Sequence, residues 1–397
     1  MKIIRYAIAL IIITTALLPL QIAAADMVKI GVILPLTGHD ARFGQIQQKA
    51  VLMAAGEINS GGGVNSKKIE SIFADTKGQS DTGRAAIKKL ITRDNVAVIA
   101  GGFSSSATWA ACSVAQQNRM PFVVSGAAAD KITEQGWEYI FRLNQPVSER
   151  LEAVADFVST INSVASDIRS FAIVYANSLR HAADARQFFK KASELGLKPV
   201  IRERFENGTA DFRPLLNRMK AKNPDLIYAV ADNSEDAALL VRQLKDLQLN
   251  PRLFVGDGNS FVEPEFASHA GQAAEHIVST AVWTPAVPHR GADAFNQKFI
   301  AKYKTRPEHY GAEAYAAISV ITDALKRTKV LAPKNIRDAL AKTNRMTVLG
   351  RVKFVSYNNK SQQNKLPALV LQWIDGKAEI VWPKHLATEK YVYPLPQ

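Results

Sequence analysis

The chain has little that would support disulfide or enzyme chemistry. One cysteine, Cys112, among 397 residues excludes an intramolecular disulfide framework, so stability must come from hydrophobic cores. Cys112 ends an apolar run, and we interpret it as a small buried residue rather than a reactive thiol. The sequence contains no serine-hydrolase elbow, zinc-protease motif or P-loop, and its seven histidines are scattered. We therefore expect a protein that is not an enzyme and has no metal site and no cofactor.

Long hydrophobic runs are confined to the N-terminus. Residues 6–18 are almost unbroken in apolar character, with Lys2 and Arg5 before them and Ala23-Ala24-Ala25 after them. This order is typical of a signal peptide cleaved after Ala25. The run is shorter than the roughly 20 residues that a membrane-spanning helix needs. We predict that residues 1–25 are a signal peptide and that the mature protein is periplasmic or secreted.

The formal net charge is +14, which in a cytosolic chain would raise the question of nucleic-acid binding. The basic residues are dispersed, with no run longer than two, and the export signal also argues against a nucleic-acid partner. We expect a solvated basic surface with a weak attraction for acidic ligands.

Strand-like and helix-like segments alternate along the rest of the chain, which predicts βαβ units and parallel sheets. Residues 28–34 are apolar almost throughout, as a strand buried on both faces must be. A second series begins after residues 144–148, so we predict an α/β protein with two doubly wound parallel-sheet lobes. Predicted strands lie at 28–34, 69–74, 96–100, 122–124, 171–175, 200–205, 226–230, 253–255, 352–354, 369–373 and 378–382.

Small polar loops follow two neighbouring predicted strands, at the edge where open α/β sheets bind ligands. Residues 101–106 read Gly-Gly-Phe-Ser-Ser-Ser and lead into a predicted helix, while residues 125–129 read Ser-Gly-Ala-Ala-Ala. The glycines permit close backbone approach, and the hydroxyls and free N–H groups of a helix start suit an anion. A turn with a serine N-cap explains one of the three serines but not the group. We predict a carboxylate site here.

Five short motifs, in this order, resemble those of the branched-chain amino acid (Leu/Ile/Val)-type periplasmic binding proteins, which are type I binding proteins that serve ABC transporters. The resemblance covers nearly all of the mature chain and implies two lobes that close over a ligand by a hinge. It implies that the chain passes from one lobe to the other three times, and we call these connections passages. They lie near residues 144–148, 279–283 and 350–354. The first lobe would then contain residues 26–144 and 282–349, and the second lobe residues 145–281 and 350–397. The motifs lie at residues 30–38, 57–64, 101–106, 350–354 and 372–373.

The resemblance also implies ligand-binding residues. The family's carboxylate-binding serine corresponds to Ser104, beside Ser105, and its backbone contact corresponds to Gly126, beside Ala127. The aromatic residue that packs on the ligand corresponds to Phe43.

Four positions depart from the family pattern. A threonine is Ala128 here, one tyrosine is Arg180, a second tyrosine is Asp232, and the ammonium-binding glutamate is a glycine next to Asp257. A buried ammonium without a carboxylate costs several kcal/mol, so an amino-acid ligand would require Asp257 or Asp232. Otherwise the ligand is an acid without an ammonium, and Arg180 could pair with a second acidic or polar group. Both ligand classes remain open.

The sequence thus predicts a monomeric periplasmic protein that binds a small molecule and delivers it to an inner-membrane ABC permease. The alternative is a sensory protein of the same fold that reports ligand occupancy to a receptor. A hydrolase is disfavoured because no nucleophile, base and acid stand out together.

Overall fold

The computed structural model describes residues 27–396, apart from the side chains of residues 179, 180 and 259. The predicted signal peptide therefore lies outside the described residues. The strands are β1 (Val28–Leu34), β2 (Ile69–Asp75), β3 (Val98–Gly101), β4 (Phe122–Val124), β5 (Ile140–Arg142), β6 (Ser170–Ala176), β7 (Lys198–Phe205), β8 (Leu226–Val230), β9 (Leu253–Asp257), β10 (Val278–Ala281), β11 (Arg345–Thr347), β12 (Gly350–Val352), β13 (Phe354–Tyr357), β14 (Lys360–Asn364), β15 (Leu369–Ile374) and β16 (Lys377–Trp382). The α-helices are α1 (Ala41–Ser60), α2 (Ser80–Thr92), α3 (Ser105–Gln117), α4 (Val147–Val164), α5 (Leu179–Glu194), α6 (Arg213–Lys220), α7 (Ser234–Asp246), α8 (Pro264–Ala270), α9 (Ala292–Tyr303), α10 (Glu308–Lys326) and α11 (Pro333–Ala341).

The first sheet has the strand order β13-β14-β5-β4-β3-β1-β2, and all neighbours except β13 and β14 run parallel. Gly101 at the end of β3 pairs with Ile33 of β1 and with Val124 of β4. The loops that follow β3 and β4 are therefore neighbours at the carboxyl edge of the sheet. We call this sheet and the helices packed on it, α1–α3 and α9–α11, the first lobe.

The second sheet has the order β16-β15-β10-β9-β8-β6-β7 and is parallel from β7 to β10. β15 runs antiparallel to β10 and forms the predicted hairpin with β16. Its turn residues, Asp375 and Gly376, both have positive φ, as a tight hairpin turn requires. With α4–α8 this sheet forms the second lobe. The predicted fold class, two parallel-dominated α/β lobes, is confirmed.

The third passage between the lobes lies at a different position in the chain from the one predicted. The resemblance to the binding proteins implies a passage near residues 350–354, with residues 350–397 in the second lobe. β14 instead pairs with β5, so β13 and β14 extend the first sheet and the chain crosses between Asn364 and Leu369. Burial explains this placement, because Phe354 packs edge-on against Phe141 of β5 with ring centroids 5.1 Å apart.

The central strands of each sheet are buried on both faces, which accounts for their near-continuous apolar character. In β1, Ile30 and Val32 face the core beneath α1 and α10, while Ile33 faces the core beneath α2 and α3. Cys112 is fully buried in the latter core, where burial raises the pKa of its thiol, so the prediction of an inert residue is confirmed. Within residues 27–396, no helix combines the length and apolar character needed to cross a bilayer.

Candidate functional site

The loop after β3 is held tightly against the sheet by its glycines. Gly101 and Gly102 have φ values of +104° and +88°, in the region that disfavours other residues. A Cβ on Gly101 would lie 2.4 Å from the carbonyl oxygen of Ile33, and one on Gly102 would lie 2.7 Å from Thr108. The Gly102 N–H also donates to the Ile33 carbonyl at 2.8 Å. This close approach fixes where Phe103 and Ser104 leave the sheet.

Ser104 is the N-cap residue of α3, but its hydroxyl makes no capping hydrogen bond. Its Oγ lies 3.2 Å from the Oγ of Ser106, and the side chain is half-buried. Ser105 is used differently, because its Oγ accepts a hydrogen bond from the Ala129 N–H at 3.2 Å and so joins the two loops. The Ser104 hydroxyl and the start of α3 are together suited to an anion.

The loop after β4 packs directly on the loop after β3. The Gly126 N–H donates to the Gly102 carbonyl at 3.0 Å, so this amide is engaged within the protein. Ala127 is buried, and the Ala128 carbonyl accepts a hydrogen bond from the Val147 N–H at the start of α4, at 3.0 Å. The backbone contact predicted at Gly126 stays a prediction, with its N–H already engaged by the Gly102 carbonyl.

Two buried polar atoms beside this loop were not anticipated from the sequence. Gln47 of α1 is fully buried, and its Oε1 has no hydrogen-bond partner among the described residues; the same holds for the Oγ of Ser125. The Gln47 oxygen lies 3.5 Å from the position that a Cβ on Gly126 would occupy. The signal in the sequence is a polar residue on the otherwise apolar face of α1. Such groups are satisfied in nearly all native structures, so they mark a polar site at this edge.

Three aromatic rings form a cluster beside Ser104, which we call the aromatic trio: Phe43, Phe103 and Tyr310. Phe43 stacks on Phe103 with centroids 5.2 Å apart, and Tyr310 packs edge-on against both at 5.2 and 5.0 Å. All three side chains are half-buried. Of the three, only Phe43 was predicted to contact the ligand. Tyr310 is far from Phe43 in the sequence and reaches it because α10 packs on α1. The trio offers an apolar surface for an aliphatic or aromatic group.

Asp257, at the end of β9, links three strands of the second lobe. It is 4% exposed and accepts hydrogen bonds from the Tyr228 hydroxyl of β8 at 2.8 Å and the Thr280 hydroxyl of β10 at 2.5 Å. Burial raises the pKa of the Tyr228 hydroxyl well above its usual value, and the neighbouring Asp257 charge adds to this shift. These bonds join the Asp257 carboxylate to β8 and β10, and its contact with a ligand stays a prediction.

Asp232 and Arg180 lie nearer the rim of the second lobe. The Asp232 carboxylate accepts a hydrogen bond from Asn207 at 3.1 Å and lies 3.7 Å from Nε2 of the buried His181. Its side chain is 43% exposed, so water screens its charge. The backbone of Arg180 belongs to α5, and its side chain lies outside the described part of the chain.

The two lobes meet at Arg42, on the first turn of α1. Its guanidinium lies 2.6 Å from Glu308 of the first lobe and 3.7 Å from Glu263, just before α8 in the second lobe. Burial and the charge of Glu308 raise the pKa of Glu263 to about 6, although Arg42 opposes the shift. Opposite charges thus face each other across the opening between the lobes.

Comparisons with known proteins agree with this architecture. The chain is 26% identical over 387 residues to Leu/Ile/Val-binding protein homolog 7 of Brucella abortus, covering 94% of this chain and 95% of the relative. The isoleucine complex of the branched-chain amino acid transporter substrate binding protein LivJ from Streptococcus pneumoniae is 25% identical, with a TM-score of 0.73 over 90% of this chain and 100% of that one. A solute binding protein of an ABC transporter from Rhodopseudomonas palustris, in complex with 3,4-dihydroxy benzoic acid, is 23% identical with a TM-score of 0.72, covering 89% and 95%.

These relatives bind solutes and are not enzymes, which confirms the prediction of a binding protein and the resemblance to the Leu/Ile/Val type. The family described as periplasmic binding protein matches residues 27–378, almost the whole of the described chain. The chain belongs to the periplasmic binding protein family.

Proposed function

We propose that the chain is the periplasmic solute-binding component of an ABC importer and that it binds a small carboxylate-bearing ligand between its lobes. This proposal rests on the Ser104 hydroxyl at the start of α3, beside the aromatic trio. The hydroxyl makes no capping hydrogen bond to the helix. The amides of a helix start and a hydroxyl stabilise a carboxylate, while the trio packs on the apolar remainder of the ligand. The partners would be this ligand and an inner-membrane permease.

Closure of the lobes fits the way the chain runs between them. Three short passages connect the two sheets, after β5, after β10 and after β14, and the Arg42–Glu263 pair spans the opening at 3.7 Å. A ligand that touches both lobes would favour the closed arrangement. We place residues 27–144 and 282–364 in the first lobe and the remainder of the described chain in the second. The protein would act as a monomer, after signal cleavage at Ala25.

The chemistry of the site favours a carboxylate over a neutral solute, but the fold itself accepts several ligand classes. The two solved relatives described above hold isoleucine in one case and 3,4-dihydroxy benzoic acid in the other. Both ligands combine a carboxyl group with an apolar body, which is the combination that Ser104 and the aromatic trio would recognise.

A solute screen tests this function. Thermal-shift measurements on the mature protein should identify a carboxylate that raises the unfolding temperature, and small-angle scattering should then show a smaller radius of gyration. Losing one hydroxyl to a charged acceptor costs about 1.5–3 kcal/mol, so Ser104→Ala should weaken binding roughly ten- to a hundredfold. Ser163→Ala, at an exposed serine of α4, serves as the matched control. Unchanged affinity in Ser104→Ala, or binding without compaction, would contradict the proposal.

A further inference from the structure

Arg150 stands where the first passage between the lobes enters α4. The start of α4 is tied to the first lobe, because the Val147 N–H donates to Ala128 and the Ser148 hydroxyl donates to Asp130. The body of α4 packs on α5 and β15 of the second lobe. Arg150 is therefore adjacent to the loop after β4 and also borders the second lobe.

The Arg150 guanidinium is incompletely satisfied. Its side chain is half-buried, and its buried Nε has no hydrogen-bond partner within the described part of the chain. A charged donor removed from water without a partner is costly, more so than a neutral one. Buried arginine donors in native proteins normally meet an acceptor, so this unpaired N–H points to an acceptor that comes from outside the chain.

The groups that interact electrostatically with Arg150 belong to both lobes. They are Tyr310 and Glu313, one turn apart on α10 of the first lobe, and Asp257, Asp184 and Tyr228 of the second lobe. Burial lowers the pKa of Arg150, but attraction by Asp257 and Asp184 outweighs that effect and keeps the guanidinium charged.

Glu313 is 4% exposed, and burial raises the pKa of its carboxyl well above the usual value, although the Arg150 charge opposes this shift. Burial thus makes Glu313 a weaker counter-charge for Arg150 than an exposed carboxylate would be. Tyr310 is also a member of the aromatic trio, so the Arg150 cation interacts electrostatically with one residue of the apolar surface proposed to hold the ligand.

We infer that Arg150 is a specificity-determining residue that binds an acidic oxygen of the ligand and makes the site select carboxylic acids over the corresponding amino acids. This inference rests on the proposed function and narrows its ligand class. A guanidinium repels an ammonium placed beside it, whereas a planar carboxylate can accept two of its N–H groups. The carboxylate of Asp257 already accepts from two hydroxyls, which leaves fewer of its lone pairs for an ammonium.

Calorimetric titration of the mature protein with two matched pairs tests the inference. The pairs are 3-phenylpropionate with phenylalanine and 4-methylpentanoate with leucine, and the members of each differ only in the ammonium. The acid of at least one pair should bind at least about tenfold more tightly than its amino acid. Arg150→Gln should weaken that acid roughly ten- to a hundredfold and reduce the preference. Arg150→Lys, which keeps the charge, should retain the preference at intermediate affinity.

The exposed Arg213→Gln is the matched control and should bind like the wild type. Circular dichroism and unfolding temperature establish that each variant is folded, and Arg150→Lys carries the test if Arg150→Gln does not fold. Tighter binding of either amino acid by the wild type, equal losses for both members in Arg150→Gln, or no binding of either acid would overturn the inference. The proposed function survives such a result if a solute still compacts the protein and its affinity still falls in Ser104→Ala.

Discussion

Replacing Asp257 by asparagine tests whether this residue supports the fold or faces the ligand. The substitution keeps the shape of the side chain but turns one acceptor oxygen into a donor NH2 group. The hydroxyls of Tyr228 and Thr280 can rotate, so contacts persist, but both hydrogen bonds lose their charge. A hydrogen bond to a charged group contributes about 1.5–3 kcal/mol and a neutral one about 0.5–1.5 kcal/mol. The difference over two bonds predicts a loss of about 2–3 kcal/mol in the free energy of unfolding.

Urea unfolding followed by circular dichroism measures this loss. Asp232→Asn is the matched control: its carboxylate is 43% exposed, and its loss should cost less than about 0.5 kcal/mol. If Asp257 supports the strand ends, ligand affinity should fall equally for a carboxylic acid and its amino counterpart. An unchanged free energy of unfolding with a loss confined to amino-acid ligands would refute this reasoning, because Asp257 would then serve an ammonium.

Two further predictions concern pH and backbone geometry. The pKa of Glu263 is raised to about 6 in the folded protein, above about 4.3 for an unfolded glutamate, so stability should fall as pH rises through that interval. Urea midpoints measured from pH 4 to 7 should fall less steeply for Glu263→Gln than for the wild type. The same pH dependence in both proteins would contradict the raised pKa of Glu263. Gly101→Ala should be destabilised by more than about 2 kcal/mol, because strain at positive φ adds to a clash with Ile33. Gly208 also has a positive φ, but a Cβ there would meet no other atom, so Gly208→Ala should lose only the free energy that corresponds to backbone strain. Equal losses of unfolding free energy in the two variants would exclude a contribution from the clash.

Local signals in the sequence determined most of the regular structure. β1 spans Val28–Leu34, as predicted, because a strand buried on both faces requires a continuous apolar run. The hairpin of β15 and β16 was recognisable because Asp-Gly between two apolar segments suits a tight turn. β5 and β10 were not predicted as elements, since strands of three and four residues carry a weak pattern. α4 was also not predicted, although its buried residues Leu151, Val154, Phe157, Val158 and Ile161 have helical spacing.

The placement of β13 and β14 could not be read locally. The strand predicted at 352–354 overlaps only the ends of β12 and β13, and no strand is predicted at β14. The pairing of β14 with β5 depends on contacts across more than two hundred residues of chain. The same limit explains the misplaced third passage, because the Gly350–Val352 segment forms a small hairpin with β11 before the chain reaches the sheet.

Some features of the candidate site follow from the local sequence, and others depend on the tertiary structure. The sequence by itself determined the Gly-Gly-Phe-Ser loop and its position at a helix start, since both depend on residues adjacent in the chain. Only the tertiary structure brought Tyr310 to Phe103 and engaged Asp257 with Tyr228 and Thr280. It also left the Gln47 Oε1 and the Arg150 Nε without hydrogen-bond partners among residues 27–396 as described. The physical reason is that burial and hydrogen bonding are set by which distant segments pack together, whereas turns and strand periodicity are set by neighbouring residues.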